Sequence, residues 1–222
     1  MFTTEEGDMK VLLIVDVQND FCHGGSLEVP GSDEIIPLIN QLTSSNSFDL
    51  VVATKDWHPV DHESFLSTWP VHCVQGTSGA EFHPKLDTSN IQHIVNKGTD
   101  RDVDSYSAFF DNDHKKETPL RKILEKAQKE LSTQSSNDPI EIVITGLALD
   151  YCVAFSARDA ASLGYKTSIL LDATRSVEQN QRQVISKLRE LQDIEVEITT
   201  SLHIASGKER VQKINRDQQI QH

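Results

Sequence analysis

Three residues able to do covalent chemistry lie far apart in this chain, each beyond its own apolar run: Asp16, Lys97 and Cys152. A thiol that attacks a carbonyl needs a base to take its proton and later return it to a leaving group. Asp16 can be that base. A lysine between the two stabilises both anions, orients them and depresses the thiol pKa. The three therefore read as a nucleophilic triad. Cys152 follows a buried run at 140–145 that ends in Gly146, and it opens a helix-forming stretch at 152–163 closed by Gly164. N–H groups and the dipole at a helix start favour an anion there, which predicts a lowered Cys152 pKa. The N–H groups of Ala148 and Cys152 are the expected oxyanion donors, each worth about 3 kcal/mol of barrier. Taken singly, each triad residue has an ordinary reading as turn former, solvated lysine or small buried hydrophobe. Their joint placement is what favours the triad.

A second cluster occupies the stretch Asp56-Trp57-His58-Pro59 and Trp69-Pro70-Val71-His72-Cys73. Asp56 and His58 are two apart and point the same way in an extended segment. With His72 they form a carboxylate and two imidazoles that leave open positions. Such a set suits one divalent Zn, Fe or Mn ion rather than Ca or Mg. The competing reading is a surface loop that happens to hold several of the chain's 9 histidines. Cys73 is not expected as a ligand, since a thiolate would close a catalytic site. Phe21, Trp69 and Tyr106 lie in segments leading from these motifs, and as pocket walls they would sandwich a flat aromatic substrate.

The elements that must position these residues follow from hydrophobic patterning. Runs at 10–15, 49–54, 91–95, 140–145, 166–171 and 194–198 read as strands. Helical stretches at 31–42, with Ser32 or Asp33 as N-cap, 119–132, 152–163 and 177–191 alternate with them. The first strand is apolar throughout, as a strand buried on both faces of a parallel sheet should be. The alternation predicts an α/β fold, a doubly wound parallel sheet in a three-layer sandwich. In such sheets ligands bind beyond the carboxyl ends of the strands. Asp16, Asp56, Lys97 and Cys152 would then share one rim. Residues 57–90 and 99–113 are long irregular segments of the kind that carry function. No linker divides the chain, so residues 1–222 read as one domain with a core at about 10–200 and a polar tail at 206–222.

A formal net charge of -13 argues against nucleic acid and anionic membranes as partners. No apolar run is long enough to span a membrane, and the N-terminus lacks a signal-peptide pattern. Cys22, Cys73 and Cys152 are too few for a disulfide framework, so a cytoplasmic location is expected, with nucleus or peroxisome left open. Nothing fixes an oligomeric state; a homo-oligomer is compatible.

Five stretches in order resemble the isochorismatase-like cysteine hydrolases, and within them the nicotinamidase/pyrazinamidase group. They are Ile14-Val-Asp-Val-Gln-Asn-Asp-Phe21, Lys55-Asp-Trp-His-Pro59, Trp69-Pro-Val-His-Cys73, Lys97-Gly98 with Tyr106-Ser-Ala-Phe109, and Gly146-Leu-Ala-Leu-Asp-Tyr-Cys-Val153. The resemblance implies a six-stranded sheet of order 3-2-1-4-5-6. It implies catalytic roles for Asp16, Lys97 and Cys152, and metal binding, zinc first, by Asp56, His58 and His72. It implies a cis peptide between Leu147 and Ala148 that aims the Ala148 N–H at the oxyanion, and it sets Phe21 and Trp69 beside the substrate ring. Some relatives add a fourth metal ligand, for which Glu63 and His62 are the nearby residues. The implied activity is hydrolysis of nicotinamide, and of pyrazinamide, to the acid and ammonia in NAD salvage. The alternatives are another small-amide or ureido/carbamoyl hydrolase of the same superfamily, a silent metal-binding or partner-binding module, and a cysteine redox sensor.

Overall fold

The structure is a computed structural model and describes residues 8–131 and 139–204. The polar connection at 132–138 and the tail at 206–222 lie outside the described residues.

Alternate residues of the first strand, β1 (Met9–Val15), enter two different cores. Met9, Val11, Leu13 and Val15 pack on one side, and Leu12 and Ile14 on the other. Both faces are thus covered, which is why the run is apolar without alternation. Around β1 stand β2 (Leu50–Asp56), β3 (His93–Lys97), β4 (Ile140–Leu147), β5 (Lys166–Arg175) and β6 (Glu197–Thr199). All pairings are parallel, and the order is β3-β2-β1-β4-β5-β6. This is the expected order.

Helix α1 (Ile36–Ser44) packs Ile36, Ile39 and Leu42 on one face of the sheet. A single helical turn, α2 (Ser64–Ser67), lies within the long segment after β2. Helices α3 (Leu120–Leu131), α4 (Ala154–Ser162) and α5 (Gln181–Gln192) cover the other face with Leu120, Leu124, Ala154, Ala157, Ala160 and Leu191. The result is the three-layer sandwich that the alternation predicts. Among the described residues no helix is long and apolar enough to cross a membrane.

Two helix starts differ from the sequence expectation. Residues 32–35 form a 3-10 turn entered through Gly31 at φ 75°, and neither Ser32 nor Asp33 caps α1. The Asp33 carboxylate instead accepts the His23 N–H at 3.2 Å. Residues 177–180 are not helical; α5 begins at Gln181, where the Asn180 side chain accepts the Arg182 N–H at 3.0 Å.

β1 and β4 lie where the strand order reverses, and they approach closely at their carboxyl ends. Gly146 pairs in register with Val15 and has φ 104°, and a Cβ at this position would run into the Val15 backbone. Gly146→Ala should therefore destabilise the protein by about 3 kcal/mol. Urea unfolding would show this as a lower midpoint, and an unchanged midpoint would remove the close-approach argument.

Candidate active site

Four strand ends deliver the four predicted residues to one rim. Asp16 follows β1 in a left-handed conformation, φ 48°. Asp56 and Lys97 are the last residues of β2 and β3 and pair in register. Cys152 sits in a π-helical turn, Leu149–Val153, just before α4 rather than in the first turn of the α-helix. The Leu147–Ala148 peptide leading into that turn is cis.

Lys97 is the hub of the cluster. Its ammonium is fully buried, lies 2.8 Å from Asp16 Oδ2, and donates to Cys152 Sγ at 3.3 Å and to the Ser105 carbonyl at 3.0 Å. It also donates to Asp56 Oδ1. Burial alone would discharge a lysine, but the facing Asp16 and Asp56 carboxylates and the Cys152 sulfur overcome that and hold Lys97 above the usual lysine range. The Asp16 contact is a fully buried ion pair. Asp16 Oδ1 accepts from the Thr54 hydroxyl at 2.6 Å. One oxygen each of Asp16 and Asp56 and the Cys152 sulfur all lie within 4.8 Å of one another. Burial raises the Asp16 pKa, with Lys97 pulling it down and Asp56 pushing it up. A carboxylate so placed can take and return a proton.

The Cys152 thiol departs from expectation. Burial pushes it well above the usual thiol range; Lys97 pulls it down, and Asp16 and Asp56 add to the rise. The helix start is outweighed because the sulfur is buried against two carboxylates.

Asp56 faces two ways. Oδ1 meets Lys97, while Oδ2 lies 3.7 Å from His58 Nε2 and 4.0 Å from His72 Nε2. His58 Nδ1 donates to the Gly98 carbonyl at 2.8 Å, and His72 Nδ1 to the Pro70 carbonyl at 2.8 Å. Each carbonyl fixes a tautomer whose Nε2 lone pair points toward Asp56. His58 Nε2 is buried with no hydrogen-bond partner, and the ligand atoms of Asp56, His58 and His72 lie within 4.8 Å of one another. An orphaned imidazole nitrogen beside a carboxylate fits a divalent cation. Burial raises the Asp56 pKa, but Lys97, His58 and His72 together outweigh it and hold the carboxyl low. Burial holds His72 below the usual histidine range. His62 lies beside the His58 ring at 4.2 Å and groups with His58 and Asp104. It does not group with Asp56 and His72; Glu63 is exposed, and neither it nor buried Cys73 joins any candidate ligand group among the described residues.

A pocket opens above Cys152, walled by Phe21, Trp69, Tyr106, Ala148 and His72. The three aromatics named from sequence thus come together, and the Trp69 indole donates to the Tyr106 hydroxyl at 3.0 Å. Sequence reasoning missed Tyr151, whose ring stands edge-on to Trp69 at 5.0 Å, and the apolar wall of Leu27, Val29 and Val177. It also missed Gln18, which takes the Asp56 N–H on Oε1 and donates to the Asp56 carbonyl, both at 2.8 Å. The signal available was its place two residues after Asp16.

A doubly wound α/β sheet carrying a buried thiol, ammonium and carboxylate at its switch point beside a two-histidine carboxylate group defines a class of hydrolase-like fold. The chain belongs to the isochorismatase family, whose Isochorismatase domain model matches residues 10–201. It is 40% identical over 188 residues to the nicotinamidase of Acinetobacter baylyi, covering 76% of this chain and 82% of that protein. PnC1 from L. infantum, solved in complex with nicotinate, superposes with a TM-score of 0.80 at 35% identity, covering 90% of this chain and 97% of that one. The pyrazinamidase of Pyrococcus horikoshii in complex with zinc gives a TM-score of 0.72 at 34% identity, covering 86% and 98%.

Proposed function

We propose that this protein is a nicotinamidase that uses Cys152 as nucleophile to hydrolyse nicotinamide to nicotinate and ammonia. The observation that carries the reading is the Lys97 ammonium set against Cys152 Sγ, Asp16 and Asp56 at once, with Cys152 and Asp56 lining an aromatic-walled pocket. Nicotinamidases that match 76% and 87% of this chain, over 82% and 100% of their own length, support the substrate.

The pyridine ring enters between Phe21, Trp69 and Tyr106, with its carboxamide over Cys152. Asp16 takes the thiol proton as sulfur bonds to the carbonyl carbon, and the Ala148 and Cys152 N–H groups receive the oxyanion. Lys97 offsets the negative charge on sulfur and carboxylate through this step. The C–N bond then breaks, Asp16 returns its proton to the nitrogen, and ammonia leaves a thioester behind. Asp16 next takes a proton from water as its oxygen bonds to the thioester carbon; the C–S bond then breaks, Asp16 returns that proton to sulfur to restore the thiol, and the acid leaves as nicotinate, its own proton passing to the ammonia.

Asp56, His58 and His72 would hold a divalent metal, which we assign as zinc from the donor set and from the zinc complex of the P. horikoshii relative. When bound, it supplies an electrophilic anchor for a basic ring nitrogen and positive charge beside Asp56. His72→Ala should lower metal affinity by at least about 100-fold, read as metal per chain after dialysis. Unchanged metal content would remove His72 from the ligand set.

The substrate is tested by incubating the metal-loaded protein with nicotinamide and, in parallel, with an N-carbamoyl amide. Nicotinate and ammonia should appear in equal amounts from the first. Hydrolysis of the second alone would move the assignment to a ureido amidase, and hydrolysis of neither would favour a silent module.

A further inference from the structure

Asp150 lies two residues before the nucleophile, in the turn Leu149–Val153. Its carboxylate reaches the loop between β5 and α5. Oδ1 accepts the Val177 N–H at 3.1 Å, and Oδ2 accepts the Glu178 N–H at 2.8 Å. Both oxygens are therefore taken by successive amides, a charge-assisted clasp that joins the two segments just beyond the last β4–β5 pair, Leu147 with Arg175. Asp150 is not among the pocket-lining residues, but Val177 is, on the same wall as Leu27 and Val29. Val177 also packs against the core cluster to which Phe21, Val29 and Ala148 belong. The loop has reason to need an anchor, since residues 177–180 are neither strand nor helix.

We infer that Asp150 is a positioning residue that sets substrate specificity, joining the nucleophile turn to the Val177 wall and so fixing the slot available to ring substituents beside Cys152. The inference rests on the amidase reading and names which part of the site discriminates among ring-bearing amides. A methyl group that meets a fixed wall is rejected, and one that meets a released wall is admitted.

The test compares wild type, Asp150→Asn and Val177→Ala with nicotinamide and a ring-methylated nicotinamide. Asparagine keeps the size but offers one acceptor oxygen, and turns an NH2 toward the second amide. In both variants the preference for nicotinamide, as a ratio of kcat/KM values, should fall about tenfold. KM for nicotinamide should rise while kcat stays within about threefold. Hydrogen exchange at the Val177 and Glu178 amides should quicken in Asp150→Asn. A purely structural role would lower Tm or kcat and leave the ratio at its wild-type value, which overturns the inference. Should Asp150→Asn not fold, Val177→Ala decides: an unchanged ratio there also overturns it. Wild-type protein that releases no ammonia would fail the underlying reading instead, and amide exchange would still show whether Asp150 holds the loop.

Discussion

Cys152→Ala is expected to leave a folded, metal-binding protein whose ammonia release is at least about 10^4-fold slower than wild type. The thiol is the sole sulfur lining the described pocket, and its proton acceptor and counter-charge are already assembled around it. No other cysteine can take its place. Cys22 and Cys73 are buried outside the pocket; burial pushes the Cys22 thiol up to about 12 and raises Cys73 as well. The substitution removes one buried atom from a packed site, so stability should change by about 1 kcal/mol. Metal content should not change, because none of the atoms of Asp56, His58 and His72 depends on the sulfur. Steady-state assay and metal analysis of one preparation check both halves. Retained turnover would exclude Cys152 as nucleophile.

Lys97→Met should be nearly as damaging to catalysis and more damaging to the fold. Removing the ammonium leaves Asp16 and Asp56 facing each other in a buried site with no cation from the triad between them. A carboxylate left uncompensated in the interior typically costs about 3–5 kcal/mol. Burial already raises the Asp16 pKa against the pull of Lys97, so losing that pull lifts it further and shrinks the ionised share of the group. A protonated Asp16 cannot accept the thiol proton. Asp56 also loses the partner that holds Oδ1. We expect kcat to fall about 10^3-fold or more, together with a clear drop in the urea midpoint. A variant as stable and as active as wild type would mean that Lys97 neither charges nor orders the site.

The parts of this site that the chain announces are those where buried strands stop. The unbroken apolar run from Val11 to Val15, followed at once by Asp16, marks both a strand and its functional end. The same holds for Asp56 at the end of the buried β2; β3 is an edge strand exposed at His93, Ile94 and Asn96, so only its position at the strand end marks Lys97. His58 is legible because it stands two residues from Asp56, and His72 because the Trp69-Pro-Val-His-Cys73 stretch resembles the family's. Three things are not. Tyr151, Val29 and Val177 reach the pocket through turns whose geometry no periodicity encodes. Gln18 and Asp150 act through backbone partners 38 and 27–28 residues away, a relation visible only once the chain is folded. The direction of the Cys152 pKa depends on burial against two carboxylates from other strands, so a helix start nearby points to the wrong sign.

The most direct measurement is ammonia release from nicotinamide by the metal-loaded protein, by the same protein stripped of metal, and by the stripped protein reloaded with zinc. Turnover should be present, lost and restored in that order, with nicotinate formed in equal amount. A folded, zinc-loaded protein that releases no ammonia, or turnover that is indifferent to stripping, would contradict the account.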